Sequence, residues 1–205
     1  MLGRWVRLVA GCVLLGGGSA LMVLAKLGLA PWDVLHQGIA RHTGIPIGTV
    51  GILVGLVVLA GWLPLRQRPG VGTAVNVVLV GVTVDVVLAV APTPHATAIK
   101  TACLAAGVVG MALGTGLYVG AGLGPGPRDG LMTGLSARHD RSIGGVRTGI
   151  ELSALLAGRL LGGRVGIGTL VFALAIGPLI QAFLRWFAIP ERVDVPMPTL
   201  TTPAE

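Results

Sequence analysis

This chain is short of charge. Asp, Glu, Lys and Arg make up 11% of its 205 residues and apolar residues 53%, whereas charged residues are about a quarter of a soluble globular domain. That balance excludes an ordinary soluble fold. Cysteine is almost missing: Cys12 and Cys103 both fall inside apolar runs, with no metal-type spacing, and read as buried, inert thiols. No nucleotide loop, metal cluster or nucleophile–base arrangement is visible. The glycine-rich stretches lack a preceding strand and a Lys-Ser/Thr, which rejects a phosphate loop. An enzyme is therefore not expected, and neither is a cofactor. The net charge of +7 is no nucleic-acid signature either, because the arginines stand singly or in pairs at the ends of apolar runs rather than in a basic stripe.

What is present is hydrocarbon. Uncharged runs from Leu8 to Ala25, Thr43 to Leu65, Thr101 to Pro127 and Val165 to Leu184 match the ~20 apolar residues that a bilayer span needs. Arg4 and Arg7 before an apolar run look like a signal peptide, and Val9 to Cys12 like a lipoprotein cleavage box. Only four residues separate Arg7 from Cys12, too few for an h-region of roughly 7–15. An uncleaved first helix is the better reading.

The chain also repeats itself. Leu27-Gly28-Leu29-Ala30-Pro31-Trp32-Asp33 returns as Leu123-Gly124-Pro125-Gly126-Pro127-Arg128-Asp129, an offset of 96 (Pro31 to Pro127) that holds without gaps through Gly18/Gly114, Ile47/Ile143 and Gly72/Gly168. An ungapped register with matched Pro and Asp indicates internal duplication. The expected fold is all-α: a polytopic membrane bundle of about six spans, as two three-helix repeats each carrying a short broken or re-entrant helix. Residues 1–96 form the first repeat, 97–190 the second, and 191–205 a disordered tail. The second span is expected over about Ile47 to Leu65 and the fifth over about Ile143 to Leu161. Three spans per repeat would insert the copies with opposite orientation; a fully crossing short segment would remove that inversion. Ten of the fifteen Lys and Arg residues fall on the side of the N-terminus, which places both termini in the cytoplasm and Trp5, Trp62 and Trp186 in an aromatic belt there.

Pro31 and Pro127 suit the first turn of a helix, where the missing N–H is no loss. Asp33 and Asp129 then fall two residues on, where a carboxylate can accept free backbone N–H groups. Such Asp residues are more often local stabilisers than ligands, and the segment after Pro31 also suits an interfacial amphipathic helix. Broken helices at matched places in two halves nevertheless point to a transporter's central site. The candidate binding residues are Asp33, Asp129, Glu151, Arg147, Arg128 and His36. Arg147 and Glu151 stand at i, i+4, fit either for function or for a structural ion pair. Asp85, inside the third span, is a further ionisable group. Glycines at 116, 120, 124 and at 126, 130, 134 suggest close helix-packing faces and a possible homo-oligomer.

The paired Gly-x-x-Pro-x-Asp motif, the Gly44-Ile-Pro-Ile-Gly-Thr49 stretch and the Arg66 to Thr73 segment resemble the bacterial YczE/YyaS/YitT family of integral membrane proteins, the YczE branch above all. The resemblance runs from about Arg4 to Phe187. It implies a multi-span protein of the bacterial inner membrane and supplies no binding residues. The copies differ at Trp32/Arg128 and His36/Met132, so equivalent contacts in the two halves are not expected. The leading expectation is a secondary transporter or permease for a small polar or anionic solute in the lipid bilayer; the alternative is a non-transporting accessory or scaffold protein.

Overall fold

Proline opens both short helices. The computed structural model describes residues 1–139 and 141–187, so the expected disordered tail lies outside the described residues. Among these, every regular element is a helix: α1 (Leu2–Ala25), α2 (Pro31–Thr43), α3 (Ile47–Ala60), α4 (Val71–Val90), α5 (Thr97–Gly120), α6 (Pro127–His139), α7 (Ile143–Leu160) and α8 (Ile167–Phe187). Pro31 sits at the first turn of α2 with Ala30 as its cap, where a missing donor costs nothing. Gly44 ends that helix in the left-handed conformation. α6 starts and stops 96 residues after α2 (Pro31/Pro127, Thr43/His139).

Four helices are long and apolar enough to cross a bilayer, α1, α4, α5 and α8, with α2 and α3 forming a further candidate as one pair bent by 113°. The chain is a helical membrane protein. Of the about six spans expected, the second and fifth do not reach a full crossing by length and composition as single helices. α3 has 14 residues and at 1.5 Å per residue reaches only ~21 Å, short of the ~30 Å hydrocarbon core. It stops because Trp62 turns inward: its side chain is 1% exposed and its Nε1–H donates to Pro127 O at 2.9 Å. Trp62 is thus a core residue rather than a member of an interfacial belt; Trp5 and Trp186 do remain exposed. α7 has 18 residues but carries Arg147, Glu151 and Arg159.

Backbones meet where side chains vanish. α1 packs on α5 with Gly11 against the Gly114 carbonyl and Gly18 against the Gly107 carbonyl, where an added Cβ would stand 2.7 and 2.6 Å away. Ascending numbers on one helix meet descending numbers on the other, so the two run antiparallel. In lipid, where apolar side chains gain little by leaving one apolar medium for another, such close approach carries helix association. α4 then packs on α1 and α8 on α5, while α2 contacts α3 and α7, and α6 contacts α7 and α3. The glycine faces expected to receive a second copy are filled from within: Gly116 and Gly120 lie against Phe183 and Phe187, and Gly130 against Trp62.

The loops before the short helices are held crosswise. Gly168 N donates to Leu27 O at 2.9 Å and Gly72 N to Leu123 O at 3.0 Å. Thr169 Oγ1 accepts from Leu29 N at 3.1 Å, and Thr73 Oγ1 donates to Pro125 O at 2.7 Å. The start of α8 therefore fastens the loop ahead of α2, and the start of α4 the loop ahead of α6. Both loops turn through a glycine at positive φ, Gly28 at 129° and Gly124 at 132°, which other residues rarely adopt.

Candidate functional site

The crosswise fastening brings the starts of α2 and α6 to one cavity of about 420 Å³. All eight helices contribute to its walls, with aliphatic side chains over most of the surface. All six sequence candidates line it: Asp33 and His36 from α2, Arg128 and Asp129 from α6, Arg147 and Glu151 from α7. The short helices are thus neither separate surface features nor at opposite ends of a packed interior.

Trp32 and Arg128, which share one of the positions at which the two motif copies differ, meet face to face, with the Arg128 guanidinium carbon 4.7 Å from the centroid of the Trp32 ring. This is a cation–π contact between corresponding positions of the two short helices. Asp33, 6% exposed, takes a hydrogen bond from Ser19 Oγ at 2.7 Å on Oδ2 and faces His36 Nδ1 at 3.5 Å through Oδ1. Asp129 Oδ2 accepts from the Tyr118 hydroxyl at 2.8 Å. Among the described residues neither carboxylate takes a backbone N–H of its own first turn, as their positions had suggested; Asp33 binds the Ser19 hydroxyl of α1 and Asp129 the Tyr118 hydroxyl of α5 instead. On α7, Arg147 Nε donates to Glu151 Oε1 at 3.0 Å. With side chains 46% and 31% exposed, that pair contributes little to stability.

Two donors in the cavity are uncommitted. Arg128 makes no hydrogen bond or ion pair among the described residues, although Asp33, Asp129 and Glu151 stand within electrostatic reach. Trp32 is 7% exposed, and its buried Nε1–H has no partner among them. Sequence reasoning missed Trp32, Ser19 and Tyr118 as cavity residues. The signals were faint: Tyr118 is the chain's single tyrosine, and Ser19 stands out only as a hydroxyl amid glycines. Asp85 turned out otherwise. Its carboxylate accepts from Gly48 N at 2.6 Å and from Thr49 N and Oγ1 at 2.7 Å each, so it caps the start of α3 from α4 and explains its own place in an apolar helix. Among the described residues no cluster of three His, Cys, Asp or Glu is placed to hold a metal ion.

The walls are unequal. α3 lies on α4, with Gly48 tight against the Gly81 carbonyl. The pair 96 positions on, α7 and α8, has no comparable packing, and a Cβ added at Gly144 or Gly177 would meet nothing within 4 Å. Arg147 and Glu151 stand on one side of this gap and Ile176, Ile180 and Leu184 on the other, all lining the cavity.

Residues 2–185 match the family described as "Family of unknown function (DUF6198)". An uncharacterised protein of Haemophilus influenzae is 41% identical over 175 residues, covering 85% of this chain and 80% of that protein. The uncharacterised membrane protein YczE of Bacillus subtilis is 33% identical over 195 residues, covering 94% and 88%. The uncharacterised protein YyaS of the same organism is 25% identical over 178 residues, covering 85% and 89%. No solved structure matches.

Proposed function

Because the chain belongs to DUF6198, with YczE and YyaS among its relatives, activity has to be read from the cavity, and we propose a permease that passes a small polar, anionic solute by alternating access. One observation carries the reading: corresponding helix pairs on the two sides of a shared cavity stand in different states, α3–α4 closed through Gly48 and Gly81 and α7–α8 open at Gly144 and Gly177.

The inverted-repeat account supports it. Corresponding helices α1 and α5 run antiparallel, and corresponding crosswise bonds tie each half to the motif of the other. If α1 and α5 cross the bilayer, the axis relating residues 1–96 to 97–190 lies in the membrane plane, the arrangement in which two broken helices meet at a transporter's midplane site. With the N-terminus cytoplasmic by the distribution of Lys and Arg, the start of α7 and the end of α8 face the cytoplasm of a bacterial inner membrane, and the cavity opens inward. No bond-making step belongs to this reading.

The accessory-protein reading has one observation in its favour, that Asp33, Asp129 and Glu151 each already hold an internal partner. Flux separates the two. Protein reconstituted in proteoliposomes is to be screened for uptake of organic anions, beside Asp33→Asn and Asp129→Asn. The permease reading expects protein-dependent uptake that each substitution slows by about tenfold, the scale of one lost charge-assisted hydrogen bond. Uptake absent across the panel, or indifferent to both changes, sinks it.

A further inference from the structure

We infer that the cavity binds an amphiphilic anion: a carboxylate or phosphate head carried on a single hydrocarbon chain, admitted sideways between α7 and α8. The inference rests on the permease reading for its biological purpose and on the geometry for its chemistry.

The head group follows from the unspent valence. Each cavity carboxylate has a donor on it: Ser19 and His36 for Asp33, Tyr118 for Asp129, Arg147 for Glu151. The donors left over are the Arg128 guanidinium and the Trp32 Nε1–H, the latter more than nine-tenths buried and without a partner among the described residues. A guanidinium presents five N–H groups in a planar fork matched to carboxylate and phosphate oxygens, and a buried indole N–H ordinarily finds an acceptor. Both belong to the first turns of α2 and α6, so the positive ends of two helix dipoles approach the same point. The occupant that completes this set brings acceptors and negative charge.

The body follows from the rest of the lining. Val54, Val58, Val80 and Val84 on one wall and Phe172 and Ile176 on another offer no polar atom from their side chains. A hydrophilic anion would leave that surface uncovered. About 420 Å³ lies within the size range of pockets that enclose drug-sized ligands.

The route follows from the gap. Its α7 side carries the Arg147–Glu151 pair and its α8 side is aliphatic. Beyond it α7 presents Leu152 and Leu156, and α8 Leu170 and Leu174, all largely exposed, as lipid-facing residues are. An entrance charged on one side and greasy on the other accepts a molecule built the same way.

The test needs no flux. The intact protein in phosphatidylcholine nanodiscs is labelled with a photoactivatable diazirine analogue of dodecanoate. Competition then comes from dodecanoate, dodecyl phosphate, butyrate, inorganic phosphate and dodecyltrimethylammonium. The proposal expects the two long-chain anions to compete at least about tenfold better than the other three, with labelled peptides from the 172–184 stretch of α8. Arg128→Gln is expected to lower labelling by about tenfold and Trp32→Phe, which keeps a ring under Arg128 but loses the N–H, by a few-fold. Equal competition by butyrate or phosphate would reduce the site to its head group. Competition led by the cation, or labelling unchanged in both variants, overturns it. Binding without flux would leave this inference standing and remove the permease; flux of short anions without long-chain binding would do the reverse.

Discussion

At Gly130 the chain makes room for a ring. Trp62 lies directly under it, so that a Cβ there would fall inside the indole. The corresponding contact in the other half pairs Val34 with Gly158, whose added Cβ would stand 2.5 Å from the Val34 carbonyl carbon. Position 34 corresponds to 130 and 62 to 158, so the same pair of positions meets twice by different means: the α2 backbone at Val34 and Leu35 lies on Gly158 of α7, while Gly130 of α6 lies on the Trp62 ring just past α3. Trp62→Gly leaves a cavity and is expected to cost more than about 3 kcal/mol; Gly130→Val overpacks and costs about 1–3 kcal/mol. Together they restore the residue types, Val and Gly, that the other half carries at positions 34 and 158. The double variant is expected to be more stable than the sum of the singles by at least about 1 kcal/mol, a coupling read from a double-mutant cycle in thermal denaturation; additive losses would refute the correspondence. The residue scale was also where sequence reading reached unevenly. Charged groups in a chain with few of them announce themselves, and Asp33, His36, Arg128, Asp129, Arg147 and Glu151 do share a cavity. The contact between Trp32 and Arg128 could not be read, because a mismatch between copies says nothing about whether the two mismatched side chains touch.

Elements bounded by proline and glycine were legible, and those ended by tertiary contact were not. The starts at Pro31 and Pro127 follow from local chemistry, which a backbone without an N–H settles by itself. The end of α3 at Ala60 depends on Trp62 reaching α6, and no hydropathy pattern contains that. The same holds for Asp85, legible as an anomaly in α4 but understood only once it caps α3. For the α1–α5 crossing the sequence supplied the glycines without saying which of them face the partner. Gly17 and Gly18 are neighbours in α1, yet a Cβ at Gly17 meets nothing within 4 Å while one at Gly18 stands 2.6 Å from the Gly107 carbonyl. Gly17→Ala is therefore expected to be neutral or stabilising by about 0.5–1 kcal/mol through helix propensity alone. Gly18→Ala drives the helices apart and is expected to lower stability by about 1–3 kcal/mol. Unfolding temperatures of the two variants in one detergent check this, and equal behaviour would mean that α1 and α5 are not locked through their glycines.

At the scale of the molecule, the offset of 96 was readable from sequence, whereas the inequality between halves was not, since both carry the glycines for a closed pair. Gly48 and Gly81 use theirs; Gly144 and Gly177 do not. On the proposed permease reading these are two arrangements of one design side by side, and alternating access would require the halves to exchange them. Spin labels can follow the exchange from lipid-facing positions that disturb no packing. Leu53 and Val86 are 48% and 55% exposed on α3 and α4, and their counterparts Gly149 and Ala182 are exposed on α7 and α8. With Cys12 and Cys103 replaced by alanine, double cysteine pairs at 53/86 and at 149/182 are expected each to give a short and a long distance in nanodiscs. Dodecanoate, or whatever solute the flux screen identifies, is expected to shift the two pairs in opposite directions, because a cavity that closes on one side to hold its cargo must release it on the other. A ligand moves such an equilibrium only by as much as it prefers one state, and a change from 1:99 to 99:1 takes a preference of about 10⁴-fold. Partial shifts of opposite sign therefore satisfy the mechanism. One fixed distance at each pair, or two pairs that lengthen together, would mean that the unequal halves are a permanent shape and not two stages of one cycle.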